Sequence, residues 1–160
     1  MTLPTLPAEA QDFDFFIGRW TVRHRRLRTR GIAATDWDTF ASVAECRPLL
    51  GGVANVEEQV CADRGWRGAA VRCLDLARRE WSIYWISDAD GRLQPPVRGR
   101  FEDGVGVFEG PDVDGDRPIL ARYTWTRPAD DAPQWSQAFS YDGGATWEMN
   151  WIMDFTRRPD

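Results

Sequence analysis

Apolar and polar residues alternate with a period of two along most of this chain. The clearest run is Trp147, Met149, Trp151, Met153 and Phe155, interleaved with Glu148, Asn150 and Asp154. Alternation of this kind marks strands with one buried face. Turn residues break the pattern about every ten positions, at Leu50-Gly51-Gly52, Asp63-Arg64-Gly65, Asp90-Gly91, Asp103-Gly104, Asp114-Gly115-Asp116, Ala129-Asp130-Asp131 and Asp142-Gly143-Gly144. The pattern predicts ten strands, at approximately Ile17–Arg28, Trp37–Cys46, Val53–Cys61, Arg67–Leu76, Glu80–Ser87, Val97–Glu102, Gly104–Gly110, Arg117–Arg127, Pro133–Tyr141 and Ala145–Thr156. Ahead of them Ala8–Phe16 has the composition of a short helix or turn. Short strands joined by tight turns pair with their neighbours, and closing the meander removes its two edges. The expected fold is all-β, an up-and-down antiparallel β-barrel, with residues 1–160 as one domain. A two-sheet sandwich needs longer crossovers than the sequence supplies.

Composition narrows the functional classes. The chain has 160 residues, 42% hydrophobic and nine of them Trp. That is too apolar for disorder and too often interrupted by charge for a membrane span. The N-terminal segment lacks a charged n-region and an apolar h-region, so a cytoplasmic location is expected. Cys46, Cys61 and Cys73 are odd in number and lack CxxC spacing, and His24 is the sole histidine, so neither a disulfide framework nor a metal site is expected. Every cation is Arg. The run from Arg19 to Arg30 is basic, but it alternates like a strand in a protein of net charge −5, so a nucleic-acid partner is not expected.

Two short motifs resemble known signatures. Ser140-Tyr141-Asp142-Gly143-Gly144-Ala145-Thr146-Trp147 resembles the Asp-box of sialidases and related propellers. A propeller repeats the box in every blade, and this chain carries one copy, so the motif is read as a hairpin staple. Gly18-x-Trp20, at the entry to the first strand, resembles the G-x-W signature of the calycin superfamily of lipocalins, fatty-acid-binding proteins, avidins and nitrobindin-like barrels. That resemblance implies that Trp20 plugs one barrel end and that Arg157 or Arg158 lies over it as a cation on an indole face. From Phe13 to Arg157 the chain is also similar to an uncharacterised bacterial family of calycin-like domains, through FIGRWTVRHRRL, RPLLGGVANVEE, WSIYW and FSYDGGATWEMNW. A nitrobindin-like haem site requires a late axial histidine, and none follows His24, so no cofactor is expected.

With Trp20 inside, strand parity turns Val22, His24, Arg26 and Arg28 inward. The same logic turns Trp81, Ile83 and Trp85, Tyr123 and Trp125, Trp135, Gln137 and Phe139, and Trp147, Met149, Trp151, Met153 and Phe155 into the lumen. Over Val53–Cys61 parity is open: either Val56, Glu58 and Val60 or Asn55, Glu57 and Gln59 face in, and Glu58 stands as the candidate. Aromatic walls with a few convergent polar groups are the usual make-up of a small-molecule site. The candidate ligand set is therefore His24, Arg26, Glu58, Trp85, Tyr123, Trp125, Gln137, Met149 and Trp151. Trp85, Trp125, Trp151 and Met149 would give apolar contact, His24 and Gln137 hydrogen bonds, and Arg26 or Arg72 would attract an anionic group.

The reading is a barrel holding a small hydrophobic or amphipathic molecule. The alternatives are an enzyme using His24 as acid or base in the same lumen, and an interaction domain with a filled core. A homodimer through an outer face containing Tyr84 and Ile86 is compatible with each. No GxSxG, P-loop or HExxH motif supports a specific reaction.

Overall fold

A computed structural model of the protein describes residues 1–159. Ten strands follow in order: β1 (Gly18–Leu27), β2 (Trp37–Leu49), β3 (Ala54–Cys61), β4 (Trp66–Asp75), β5 (Glu80–Ser87), β6 (Val97–Glu102), β7 (Val105–Asp114), β8 (Arg117–Ala129), β9 (Ala132–Ser140) and β10 (Glu148–Arg157). Each pairs antiparallel with its sequence neighbours, and β1 also pairs with β10, so the sheet closes into an up-and-down barrel. Among the described residues no helix is long and apolar enough to cross a membrane.

The N-terminal segment forms two 3-10 turns, Ala8–Gln11 and Asp14–Phe16, that cover one end of the barrel. Their hydrogen bonds span three residues, from Ala10 N to Pro7 O and from Phe16 N to Phe13 O. The turns deliver Phe13 and Phe16 into a core with Trp20, Trp81, Phe108, Trp125 and Phe155. Trp20 is fully buried and its indole N–H donates to Phe16 O at 2.8 Å. The Arg157 guanidinium lies 4.2 Å from the Trp20 ring centroid and donates to Ile17 O at 2.8 Å and Phe15 O at 2.9 Å. Gly18 makes room for this clasp. Its φ is +126°, and a Cβ there would sit 2.6 Å from Arg157 Nη1, so both backbone and space demand glycine.

Two departures from the expected strands have local causes. Strand β7 continues through Pro111 to Asp114 instead of stopping at Gly110. Its last partner on β6 is Glu109, opposite Arg98, so Pro111 lies beyond the end of β6, where its missing N–H breaks no ladder on that side. Strand β10 begins at Glu148 because Ala145–Trp147 belong to the turn. There Asp142 accepts from Thr146 N at 2.9 Å, Thr146 Oγ1 at 2.6 Å and Ser140 Oγ at 2.8 Å, and Gly143 and Gly144 take positive φ. The Thr146 hydroxyl, with the amide hydrogen bonds, holds the Asp142 carboxyl down to about 2. The SYDGGATW stretch is thus a self-contained turn.

The sheet is thinnest between β5 and β6, where only Trp81, Ser82 and Ile83 find partners. Past Ile83 the β5 edge is bridged by a loop whose Gln94 N donates to Trp85 O at 2.8 Å. Tyr84 and Ile86 lie on the outer wall, opposite Val71 and Ala69 of β4.

Candidate functional site

Ten strands enclose more space than their inward side chains fill. A cavity of about 280 Å³ runs from the aromatic core to the end where the β1–β2 and β7–β8 connections meet. That is just below the roughly 300–1,000 Å³ usual for small-molecule clefts. Trp125 and Phe155 form its floor, continuous with the core around Phe16. Trp85, Tyr123, Trp135, Trp151 and Phe139 form its walls, and Arg26, Arg30, Gln94 and Asp112–Gly115 its mouth. The wall rings meet edge to face, Trp135 with Tyr123 at 5.0 Å and with Trp151 at 5.6 Å between centroids. Gly68 makes space for Trp85, since a Cβ there would come 2.1 Å from the indole.

One side of the lumen is polar. Trp151 Nε1 donates to His24 Nδ1 at 3.1 Å, which assigns the proton of the neutral ring to Nε2, and that nitrogen donates to Ser42 Oγ at 2.8 Å. The chain continues from Ser42 Oγ to Gln59 Oε1 at 3.4 Å and from Gln59 Nε2 to Glu57 Oε1 at 2.7 Å. Arg72 then closes it, donating to Glu57 Oε2 and, at 2.9 Å, to Asn55 Oδ1. Arg72 and Glu57 are each 3% exposed, and the guanidinium lies 5.1 to 5.6 Å from the rings of Phe13, Phe16 and Trp125. Such a pair is tolerable inside because it is both matched in charge and hydrogen-bonded.

His24 therefore serves the wall. It is fully buried, both ring nitrogens are engaged, and it stacks on Phe40 at 4.4 Å without lining the cavity. Burial, with the Arg26 charge second, pushes its pKa down to about 4, so it is neutral near neutral pH. Neither ring nitrogen of His24 is presented to the lumen for acid–base work on a ligand.

The mouth is charged. Arg30 grips Asp114 Oδ1 through Nε at 3.2 Å and Nη2 at 2.7 Å, and Tyr141 donates to Asp114 Oδ2 at 2.7 Å. These contacts hold the Asp114 carboxyl below its ordinary range. Arg26 stacks 4.2 Å over the Trp151 ring. Among the described residues it has no ion pair and no side-chain hydrogen bond. The rest of the basic run is mostly matched across the wall: Arg19 with Glu45, Arg25 with Asp154 and Arg28 with Asp38.

Among the candidates, Arg26, Trp85, Tyr123, Trp125, Gln137 and Trp151 come together on the cavity wall. Two do not. Glu58 points outward, because β3 turns Asn55, Glu57 and Gln59 inward, and the Glu57–Arg72 pair holds that parity. Met149 is 48% exposed, because the register shifts between Met149 and Trp151 and a bulge turns Asn150 inward instead. Asn150 accepts from Gln137 Nε2 at 2.9 Å. The parity argument missed Glu57 and Gln59 for the same reason that it chose Glu58. Arg30 and Asp114 are brought to the mouth from 84 residues apart, and no local signal joins them.

Among the described residues three buried nitrogens have no hydrogen-bond partner: Arg72 Nε, Trp125 Nε1 and Asn150 Nδ2. All are N–H donors, and two belong to residues of the cavity wall. Tyr123 also faces the cavity, and burial followed by the Asp112 charge raises its pKa well above the ordinary phenol value, so it stays protonated. Among the described residues no three of His, Cys, Asp and Glu converge to hold a metal ion.

No family model matches the chain, and no curated protein matches it. Solved structures do. An S-type phycobiliprotein lyase, CPES, from Guillardia theta superposes with a TM-score of 0.60 over 95% of this chain and 96% of that one, at 12% identity. At that identity the likeness is one of fold.

Proposed function

We propose that this barrel holds one small, partly aromatic, amphipathic molecule in its lumen. The observation that supports it is a 280 Å³ cavity walled by four tryptophans and Tyr123 and open at a charged mouth. An indole wall supplies dispersion and ring stacking, and the Tyr123 hydroxyl and Gln137 amide of the wall offer hydrogen bonds to the polar atoms of a ligand. The reading takes the chain as a calycin-like binding barrel, on the strength of Gly18, Trp20 and Arg157 at the covered end, acting in the cytoplasm. It assigns no cofactor, nucleic acid or membrane as partner, and it includes pairing of two copies through the outer face at Tyr84 and Ile86.

Four tryptophans on the wall make the test optical. Naphthalene-2-carboxamide should quench intrinsic fluorescence saturably, and Ala70→Phe, which fills the lumen from β4, should abolish the effect while the melting temperature holds. Absence of quenching, or equal quenching in the filled variant, ends the reading. Native mass spectrometry of protein from its source would show a retained ligand and count the copies.

A further inference from the structure

We propose that the lumen selects an anionic ligand, whose acid group sits at the mouth against Arg26. The inference rests on the lumen being the ligand site and adds the charge of the ligand. Arg26 is the one guanidinium of the mouth left without a partner among the described residues, while its neighbour Arg30 is bound at two nitrogens by Asp114. Asp114 spends its hydrogen bonds on others, Oδ1 on Arg30 and Oδ2 on the Tyr141 hydroxyl, and makes none to Arg26. The other carboxylate of the mouth, Asp112, accepts from Val113 N, and its charge acts on Tyr123 across the opening.

Arg26 is also held in place. Its face lies on Trp151, whose indole N–H is fixed in turn by His24, so the guanidinium is set in orientation before any ligand arrives. Pre-set planar guanidinium groups favour carboxylates and other planar oxyanions, which they can bind through two nitrogens. Burial and then the neighbouring Arg30 push the Arg26 pKa below the ordinary arginine value and the Asp114 charge offsets only part of this, so the cation is under-compensated in the free protein. Deeper in, the charge of Arg72 is already matched by Glu57, so the floor calls for an uncharged acceptor instead of a second acid. The ligand class that follows is a compact aromatic monoanion, acid group outward.

The test uses three probes of one shape: naphthalene-2-carboxylate, naphthalene-2-carboxamide and naphthalene-2-methylammonium, each titrated against wild type and Arg26→Gln. Wild type should bind the carboxylate about ten- to a hundredfold tighter than the amide, the range of a charge-assisted hydrogen bond, and the ammonium weakest. Arg26→Gln should bring the acid down to the affinity of the amide measured in the same variant, and Arg26→Lys should recover part of the preference. A carboxylate that binds no better than the amide, or a preference that survives Arg26→Gln, overturns the charge assignment and leaves the lumen reading standing. If none of the three binds, both fall.

Discussion

His24 ties the stability of this barrel to pH in a way that can be worked out beforehand. The ring is buried and neutral, with a pKa lowered from 6.5 to about 4 by burial first and by Arg26 second. In the unfolded chain it titrates at its ordinary value. Between the two values the unfolded state binds the extra proton, so stability is complete above the unfolded pKa and is lost as pH falls through it. Linkage over that gap amounts to about 2 kcal/mol lost between roughly pH 7 and pH 5, and about 3 kcal/mol by roughly pH 4. His24 is the only histidine, so the loss in this window belongs to one side chain. The carboxyls of Asp36, Asp75, Asp114 and Asp142 are held low and lose their contribution at more acid pH. Asp12 is raised by burial and works in the opposite direction, but it is common to both proteins compared. Urea unfolding followed by tryptophan fluorescence at each pH, in wild type and in His24→Gln, isolates the effect. The variant should be less stable near neutral pH, having lost fitted hydrogen bonds to Ser42 and Trp151, yet nearly flat down to about pH 5. Equal pH slopes in the two proteins, or an imidazole C2–H resonance titrating near its ordinary value, would refute the reasoning.

Two further changes probe the frame of the site. Gly18→Ala forces a side chain into positive φ and against Arg157 Nη1, and should cost about 2–4 kcal/mol in denaturant unfolding; a loss under about 0.5 kcal/mol would contradict the clasp. Arg72→Met leaves Glu57 charged and buried, and should cost about 3–5 kcal/mol, whereas Arg72→Met with Glu57→Leu should recover most of it; a double variant as unstable as the single one would count against a matched pair.

The covered end was legible in the sequence because its signals are local. Gly18 and Trp20 sit two apart, and the terminal arginine follows the last alternating strand directly. Parity gave the inward faces of β5, β8 and β9, and of β1 as far as Arg26, because those strands keep a period of two through the lumen. Beyond Arg26 it failed, since Leu27 turns inward and Arg28 is exposed and paired with Asp38. It failed on β10 at the bulge, where one extra residue exchanges Met149 for Asn150, and such a shift leaves no mark in the pattern. It was undecided on β3 because either face is plausible from composition, and what decides is Arg72 on the neighbouring strand. The same limit hid the role of His24. A lone histidine on an inward face is legible, but the Trp151 and Ser42 partners that occupy both its nitrogens come from two other strands.

The clasp at the covered end also bears on how the chain becomes a barrel. Arg157 donates to Ile17 O across 140 residues of sequence, so the joint is made from the two extremes of the chain. Nine hairpins can assemble from near neighbours, but the tenth joint waits for the C-terminal strand. Closing that joint carries the loop-closure entropy of a long-range contact, so a barrel sealed in this way folds more slowly than its hairpins would alone.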